Sequence, residues 1–283
     1  MQSKSVQCLS PAGLHNMHYT EWGARDKPRI VVCVHGLSRN CRDFDTLAQT
    51  LEKDFRVACP DIVGRGQSDW LAAKELYVNA QYLADLTTLL ARLSADGTRD
   101  IYWVGTSMGG LLGMMLAALP GTPIRRLVLN DVGSVIPYAA LARIAAYLGK
   151  DPHFNTFKEL ELCVRTISAP FGPLSDAQWE HLTLHNSMQH ADGSWGFNYD
   201  PGIAVPFKNL PATAIELWEH YDRVTCPTLL LRGADSDLLL KDHALAMTQR
   251  GPQARLVEFE GVGHAPMLMS ADQIDAIKAF LVS

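Results

Sequence analysis

The chain has 283 residues, of which 47% are hydrophobic and 19% charged, with a formal net charge of −5. The length is ordinary for a single α/β fold and the apolar content suffices for a full core. The charge balance excludes a basic nucleic-acid surface or a polybasic membrane anchor; the first residues lack a signal-peptide apolar run, and no window approaches a membrane span.

Six cysteines (Cys8, Cys33, Cys41, Cys59, Cys163 and Cys226) contain no CxxC pair. Cys33, Cys59 and Cys226 lie in or beside strand-like runs, where a free cysteine acts as a small hydrophobe. A reduced, cytoplasmic protein is therefore expected.

In chain order, residues 6–9 and 14–22 flank Pro11-Ala12-Gly13 and read as a hairpin. Ile30-Val31-Val32-Cys33-Val34 is apolar without alternation, the pattern of a strand buried on both faces. It runs into His35-Gly36-Leu37. A helix over 43–53 and a strand over 55–60 follow, then the glycine-punctuated loop 61–68. A helix over 80–94 has apolar residues at Tyr82, Leu83, Leu86, Leu89, Leu90 and Leu93. Next come a strand over 101–104, a helix-like run over 111–119 and a strand over 126–131. The last strands are 226–232 and 254–259, separated by a helix over 241–250 and followed by one over 271–281. Strands alternating with helices imply βαβ units with right-handed crossovers.

Between Asp131 and Cys226 that rhythm stops. No strand is legible there, only helical patches at 137–148, 154–167, 175–188 and 212–221, with an aromatic, irregular link at 195–201. A helical insertion of this kind reads as a cap or lid. The core is thus expected at 1–131 and 224–283, with the cap at 132–223.

The chemistry is centred on Gly105-Thr106-Ser107-Met108-Gly109, placed between the strand 101–104 and the following helix. A sharp strand-to-helix turn, relieved by flanking glycines, holds a serine exposed as a nucleophile. A serine hydroxyl needs a base, and among ten histidines His264 stands in a glycine-rich loop just after the last strand. The histidine needs an acid; Asp131, Asp235 and Asp237 all satisfy the chain order Ser, Asp, His. Oxyanion donors are expected from the backbone N–H groups of Met108 and of Leu37, each worth about 2.7–4 kcal/mol. His35 is expected to shape its loop. Arg39 is a candidate contact for a substrate carboxylate, beside its alternative as a solvated surface residue.

His181 and His185 share a helical face but lack the glutamate of His-Glu-x-x-His, so no metal is expected. Gly64-Arg65-Gly66 lacks the features of a phosphate loop, so no nucleotide or other cofactor is expected either.

Taken together, His35-Gly36, Asp61-x-x-Gly64-x-Gly66-x-Ser68, the elbow at Ser107 and the Gly263-His264 loop resemble the α/β-hydrolase superfamily over nearly the whole chain. The resemblance implies a mostly parallel eight-stranded sheet flanked by helices, with a helical cap inserted after the sixth strand. It also implies that the acid lies in the turn after the strand ending at Arg232, as the aspartate of Ser236-Asp237; Asp237 is the expected acid, with Asp235 and Asp131 as alternatives. Because the nucleophile is serine, the dehalogenase and epoxide hydrolase chemistries of this fold are disfavoured. Ala265-Pro266-Met267 stands where carbon–carbon bond hydrolases often carry tryptophan. The expected protein is a serine esterase acting on small, mostly apolar ester substrates through an acyl-enzyme. The alternatives are a C–C bond hydrolase or lactonase of the same fold and, from another class, a non-catalytic binding module on this scaffold.

Overall fold

A computed structural model describes residues 1–95, 100–209 and 212–283. Eight strands form one sheet in the order β1-β2-β4-β3-β5-β6-β11-β12. These are β1 (Gln2–Ser10), β2 (Gly13–Trp22), β3 (Arg29–Val34), β4 (Arg56–Pro60), β5 (Asp100–Thr106), β6 (Ile124–Asn130), β11 (Thr228–Gly233) and β12 (Arg255–Phe259). β1 and β2 form an antiparallel hairpin and β2 is antiparallel to β4; β3, β4, β5, β6, β11 and β12 are parallel.

The uniformly apolar strands are covered on both sides. Along β5, Trp103 packs in one cluster with Leu86, Leu89 and Leu112, whereas Tyr102 and Val104 pack in another with Leu47, Ile277 and Leu281. α2 (Asn79–Leu93) and α3 (Met108–Ala117) supply the first layer; α1 (Asp45–Leu51) and α9 (Ala271–Val282) supply the second. α8 (Lys241–Met247) joins β11 to β12.

The interval between β6 and β11 holds α4 (Tyr138–Tyr147), α5 (Phe157–Ile167), α6 (Asp176–His185) and α7 (Trp218–Tyr221). It also holds short strands that the sequence reading did not anticipate. β7 (Val135–Ile136) pairs with β10 (Ile215–Glu216), and β8 (Ser187–Gln189) pairs with β9 (Trp195–Phe197). The helix expected over 175–188 stops at His185, because Asn186 turns its side chain to the core: its Nδ2 donates to Asp43 and its Oδ1 accepts from Asn40. The Asp192-Gly193 pair, with Gly193 at φ 85, closes the β8–β9 hairpin and was the available signal. The helix expected over 212–221 shrinks to one turn, since Ile215 is drawn into pairing with Ile136.

All six cysteines are free. Among the described residues no helix is long and apolar enough to cross a membrane.

Candidate active site

β5 passes into α3 through one residue, Ser107, at φ 52 and ψ −117. Side chains rarely tolerate that conformation, and it costs about 1–3 kcal/mol. The surrounding backbone holds it: Ser107 N–H donates to Asn130 O at 3.0 Å, and its carbonyl accepts from Gly110 and Leu111 at 2.9 and 3.0 Å. The flanking glycines are needed for close approach. A Cβ on Gly105 would stand 2.3 Å from the Gly109 backbone, and one on Gly109 2.0 Å from the Val34 carbonyl oxygen.

Ser107 Oγ lies 3.0 Å from His264 Nε2, and His264 Nδ1 lies 2.8 Å from Asp131 Oδ2. The histidine side chain is 14% exposed and the aspartate 0%. A carboxylate only accepts, so Nδ1 carries the proton and the Nε2 lone pair faces the serine hydroxyl. Asp131 directly follows β6, and β11 beside it holds the carboxylate in place. Gly233 N–H donates to Oδ1 at 2.8 Å and the Ser236 hydroxyl to Oδ2 at 2.6 Å.

Of the three candidate acids, Asp131 is therefore the one brought to His264, and the expectation for Asp237 is corrected. Asp237 is half exposed and forms a two-pronged pair with Arg143 of α4, at 2.6 and 2.8 Å. Asp235 is exposed as well. The turn after β11 directs Ser236 inward, 5% exposed, and its two aspartates outward. Ser236 was not anticipated as a site residue. Neither was Asn130, whose Nδ2 donates to Thr106 Oγ1 and to Pro266 O at 3.0 and 2.8 Å, tying the elbow strand to the histidine loop.

The loop after β3 is set by His35, which is fully buried. Its Nδ1–H donates to Gly36 O at 2.7 Å and its Nε2 accepts from Ile62 N–H at 2.9 Å. Both nitrogens are thus committed to the neutral ring. Burial pulls its pKa down to about 4, against the opposing effects of Asp61 and the Gly36 carbonyl. The Gly36 carbonyl also accepts from Arg39 N–H at 3.1 Å. In a planar trans peptide the C=O and the next N–H point in opposite directions, so fixing Gly36 O aims the Leu37 N–H. Among the described residues neither Leu37 N–H nor Met108 N–H has an intramolecular acceptor.

Arg39 is not a free surface cation. Its guanidinium grips Asp43 through two 2.7 Å hydrogen bonds and lies 5.5 Å from the centre of the Phe171 ring. With that charge already matched, nothing in the structure marks it for a substrate carboxylate. His181 and His185 gather with Asp45 on one patch. The Arg42 guanidinium is paired to Asp45 there and approaches His185 Nδ1 to 3.4 Å. Burial and then the Arg42 charge lower the His185 pKa to about 4, a setting that opposes a second cation.

The Asp61 loop is architectural. Burial alone would raise the Asp61 pKa, but the hydrogen bonds from His18 and from the N–H groups of Cys41 and Gln67 hold it below the usual carboxylate value. Ser107 and Met108 line a cavity of about 290 Å³ whose other walls are mainly carbon. Leu37, Leu111 and Leu238 come from the core, and Ile136, Leu141, Ile144, Phe207 and Ile215 from the interval between β6 and β11.

Fold, elbow and cavity together define an α/β hydrolase. A sequence profile of the alpha/beta hydrolase family matches residues 31–276, and the chain belongs to that family. It is 48% identical over 277 residues, 95% of this chain and 94% of the other, to a 3-hydroxybutyrate-oligomer hydrolase of Cupriavidus necator. Among solved structures, a hydrolase from Rickettsia typhi superposes with a TM-score of 0.92 at 30% identity, covering 100% of this chain and 99% of that one. An alpha/beta hydrolase from Novosphingobium aromaticivorans does so with a TM-score of 0.87 at 36% identity, covering 99% and 98%. The chain is accordingly an enzyme of the hydrolase and esterase group.

Proposed function

We propose that the protein is a serine hydrolase that cleaves carboxylic esters through an acyl-enzyme, and that short oligoesters of 3-hydroxy acids are its substrates. The observation that carries this reading is the run of contacts from Asp131 through His264 to Ser107, which ends at an apolar cavity. Ser107 Oγ attacks the ester carbonyl as its proton passes to His264 Nε2, with Asp131 steadying the imidazolium. The N–H groups of Leu37 and Met108 receive the oxyanion. The alcohol leaves with the proton from Nε2. Water then attacks the acyl carbon, gives its proton to His264, and the acid departs as Ser107 is reprotonated. All of these steps use the chain's own groups.

Residues 132–223 act as the cap that shapes the acyl pocket. Tyr77 and Tyr82 of the core also line the cavity; the Tyr77 hydroxyl donates to Asp200 and accepts from the Leu71 N–H, and the Tyr82 oxygen accepts from Arg65. The oligoester assignment is supported by the 48% identity to the Cupriavidus enzyme. The test is release of monomer from 3-hydroxybutyrate dimer and trimer, run beside p-nitrophenyl butyrate, for the wild type and Ser107→Ala. Ser107→Ala should fold normally and lose at least about 10³-fold in kcat. A cleanly purified variant that keeps its turnover would overturn the nucleophile assignment, and a wild type that cleaves only the nitrophenyl ester would overturn the oligoester reading.

A further inference from the structure

Arg65 is fully buried, and among the described residues no carboxylate lies within ion-pair distance of it. The other deeply buried arginines are paired, Arg56 with Glu21 and Arg232 with Glu258. An unpaired buried cation is costly, so its surroundings must compensate for it. Its Nε donates to Leu37 O at 2.8 Å, and Nη1 to Val63 O at 2.8 Å and to Tyr82 Oη at 3.0 Å. Nη2 faces Met108 Sδ at 3.9 Å, and the ring centres of Tyr82 and Tyr77 are 5.0 and 5.7 Å from the guanidinium carbon. Two of these partners, Leu37 and Met108, are the residues whose N–H groups face the substrate in the proposed mechanism.

The loop carrying Arg65 is built to aim it inward. Gly64 and Gly66 adopt φ 83 and 56, and a Cβ on Gly66 would stand 2.4 Å from the Asp61 carboxyl. Gly66 N–H donates to Asn198 O and Asp200 N–H to Gly64 O, at 3.2 and 2.8 Å, so the loop is also clamped from the far side. Solvating a carbonyl needs no charge; water or a neutral amide would serve. A guanidinium placed behind both donor residues, with no carboxylate at ion-pair distance among the described residues, adds a field favourable to negative charge beside a cavity walled mainly by carbon.

We propose that Arg65 is a positioning residue for the oxyanion site: it locks Leu37 and Met108 in place and lends its positive charge to the tetrahedral intermediate. The proposal rests on the reading of Leu37 and Met108 as the oxyanion donors.

The experiment compares wild type, Ser107→Ala, Arg65→Lys and Arg65→Met. Two quantities are measured: kcat and KM on p-nitrophenyl butyrate, and affinity for an alkyl trifluoromethyl ketone. Ser107 Oγ adds to that ketone carbon, its proton passes to His264, and the ketone oxygen becomes an anion like that of the intermediate. Arg65→Met is expected to lower kcat by about 10–100-fold, less than the loss of a direct donor. KM should stay within about threefold, and ketone affinity should fall in parallel with kcat. Arg65→Lys should recover part of both losses. A folded Arg65→Met enzyme with undiminished kcat, or a lysine variant no better than methionine, overturns the proposal. If Arg65→Met does not fold, Tyr82→Phe removes one of its acceptors instead: a joint fall in kcat and ketone affinity supports the role, and no fall overturns it. Turnover surviving in Ser107→Ala would overturn the underlying mechanism instead, so the two failures are distinguishable.

Discussion

Replacing Asp131 by asparagine tests the proposed acid with almost no change of shape. Its Oδ1 accepts from the Gly233 N–H at 2.8 Å, and its Oδ2 from the Ser236 hydroxyl at 2.6 Å and from His264 Nδ1 at 2.8 Å. A backbone N–H can only donate, so the new amide must keep its oxygen toward Gly233 and turn its NH2 toward Ser236 and His264. The Ser236 oxygen already accepts from the Leu238 and Leu239 N–H groups at 3.2 and 3.1 Å and has no free lone pair for the amide, so the variant also loses that hydrogen bond. The imidazole must accept at Nδ1, which moves its proton to Nε2 and leaves no lone pair for the Ser107 hydroxyl. The wrong tautomer in such a triad lowers kcat about 10⁴-fold, or about 5 kcal/mol of transition-state stabilisation. The assay is kcat on p-nitrophenyl butyrate for Asp131→Asn, Asp235→Asn and Asp237→Asn, with a melting curve for each. Asp237→Asn gives up only a half-exposed pair with Arg143, worth about 0–1 kcal/mol of stability, and should keep kcat within about threefold. The reasoning is refuted if Asp131→Asn stays within tenfold of wild type, or if Asp237→Asn alone is crippled.

Two further outcomes follow from the cavity and from His35. Ile144→Trp fills part of the roughly 290 Å³ cavity. Losing the burial of two methylenes, at about 0.8 kcal/mol each, should cost about tenfold in kcat/KM for p-nitrophenyl octanoate while sparing the acetate; equal losses on both would show that the chain binds elsewhere. His35 holds a proton in the folded protein only below about pH 4, whereas the unfolded chain takes one up from about 6.5. Its contribution is therefore complete above pH 6.5 and is lost as pH falls toward 4, reaching about 2 kcal/mol at pH 5. Urea denaturation at pH 7 and pH 5 should show that His35→Gln narrows the wild-type difference by about that amount; an unchanged difference would mean that His35 is not held neutral.

The central strands of the sheet are readable because they are uniformly buried. Ile30 to Val34 are all fully buried, and only a central strand covered on both faces can carry such a run. The elbow was equally plain, since Gly105 and Gly109 stand where any side chain would collide with backbone. The interval between β6 and β11 was harder. β7 and β10 are two residues each, and their pairing is a tertiary event with no local period to read. The role of Arg65 is illegible in sequence for a different reason. In sequence it stands in a glycine loop without the features of a phosphate site, and only the fold shows its charge turned inward with no carboxylate at ion-pair distance among the described residues.

The acid shows where chain order stops being informative. Asp131, Asp235 and Asp237 all lie between the serine and the histidine, and β6 and β11 are neighbouring parallel strands whose ends meet at one edge. An aspartate after either strand can reach His264, so the choice depends on which side chain the β11 turn sends inward. Here that side chain is Ser236, and the turn braces the proposed acid, Asp131, supplied from next door. The arrangement has a mechanical consequence. Asp131 is the last residue before the segment that lines the cavity, and its neighbour Val132 is already part of that wall. Adjustment of the segment to a substrate would therefore pull on the acid, were Asp131 not fixed from β11 through its N–H to Leu231 O, the Gly233 N–H and the Ser236 hydroxyl. Those three bonds tie the proposed acid to the sheet and to the turn after β11, independently of residues 132–223.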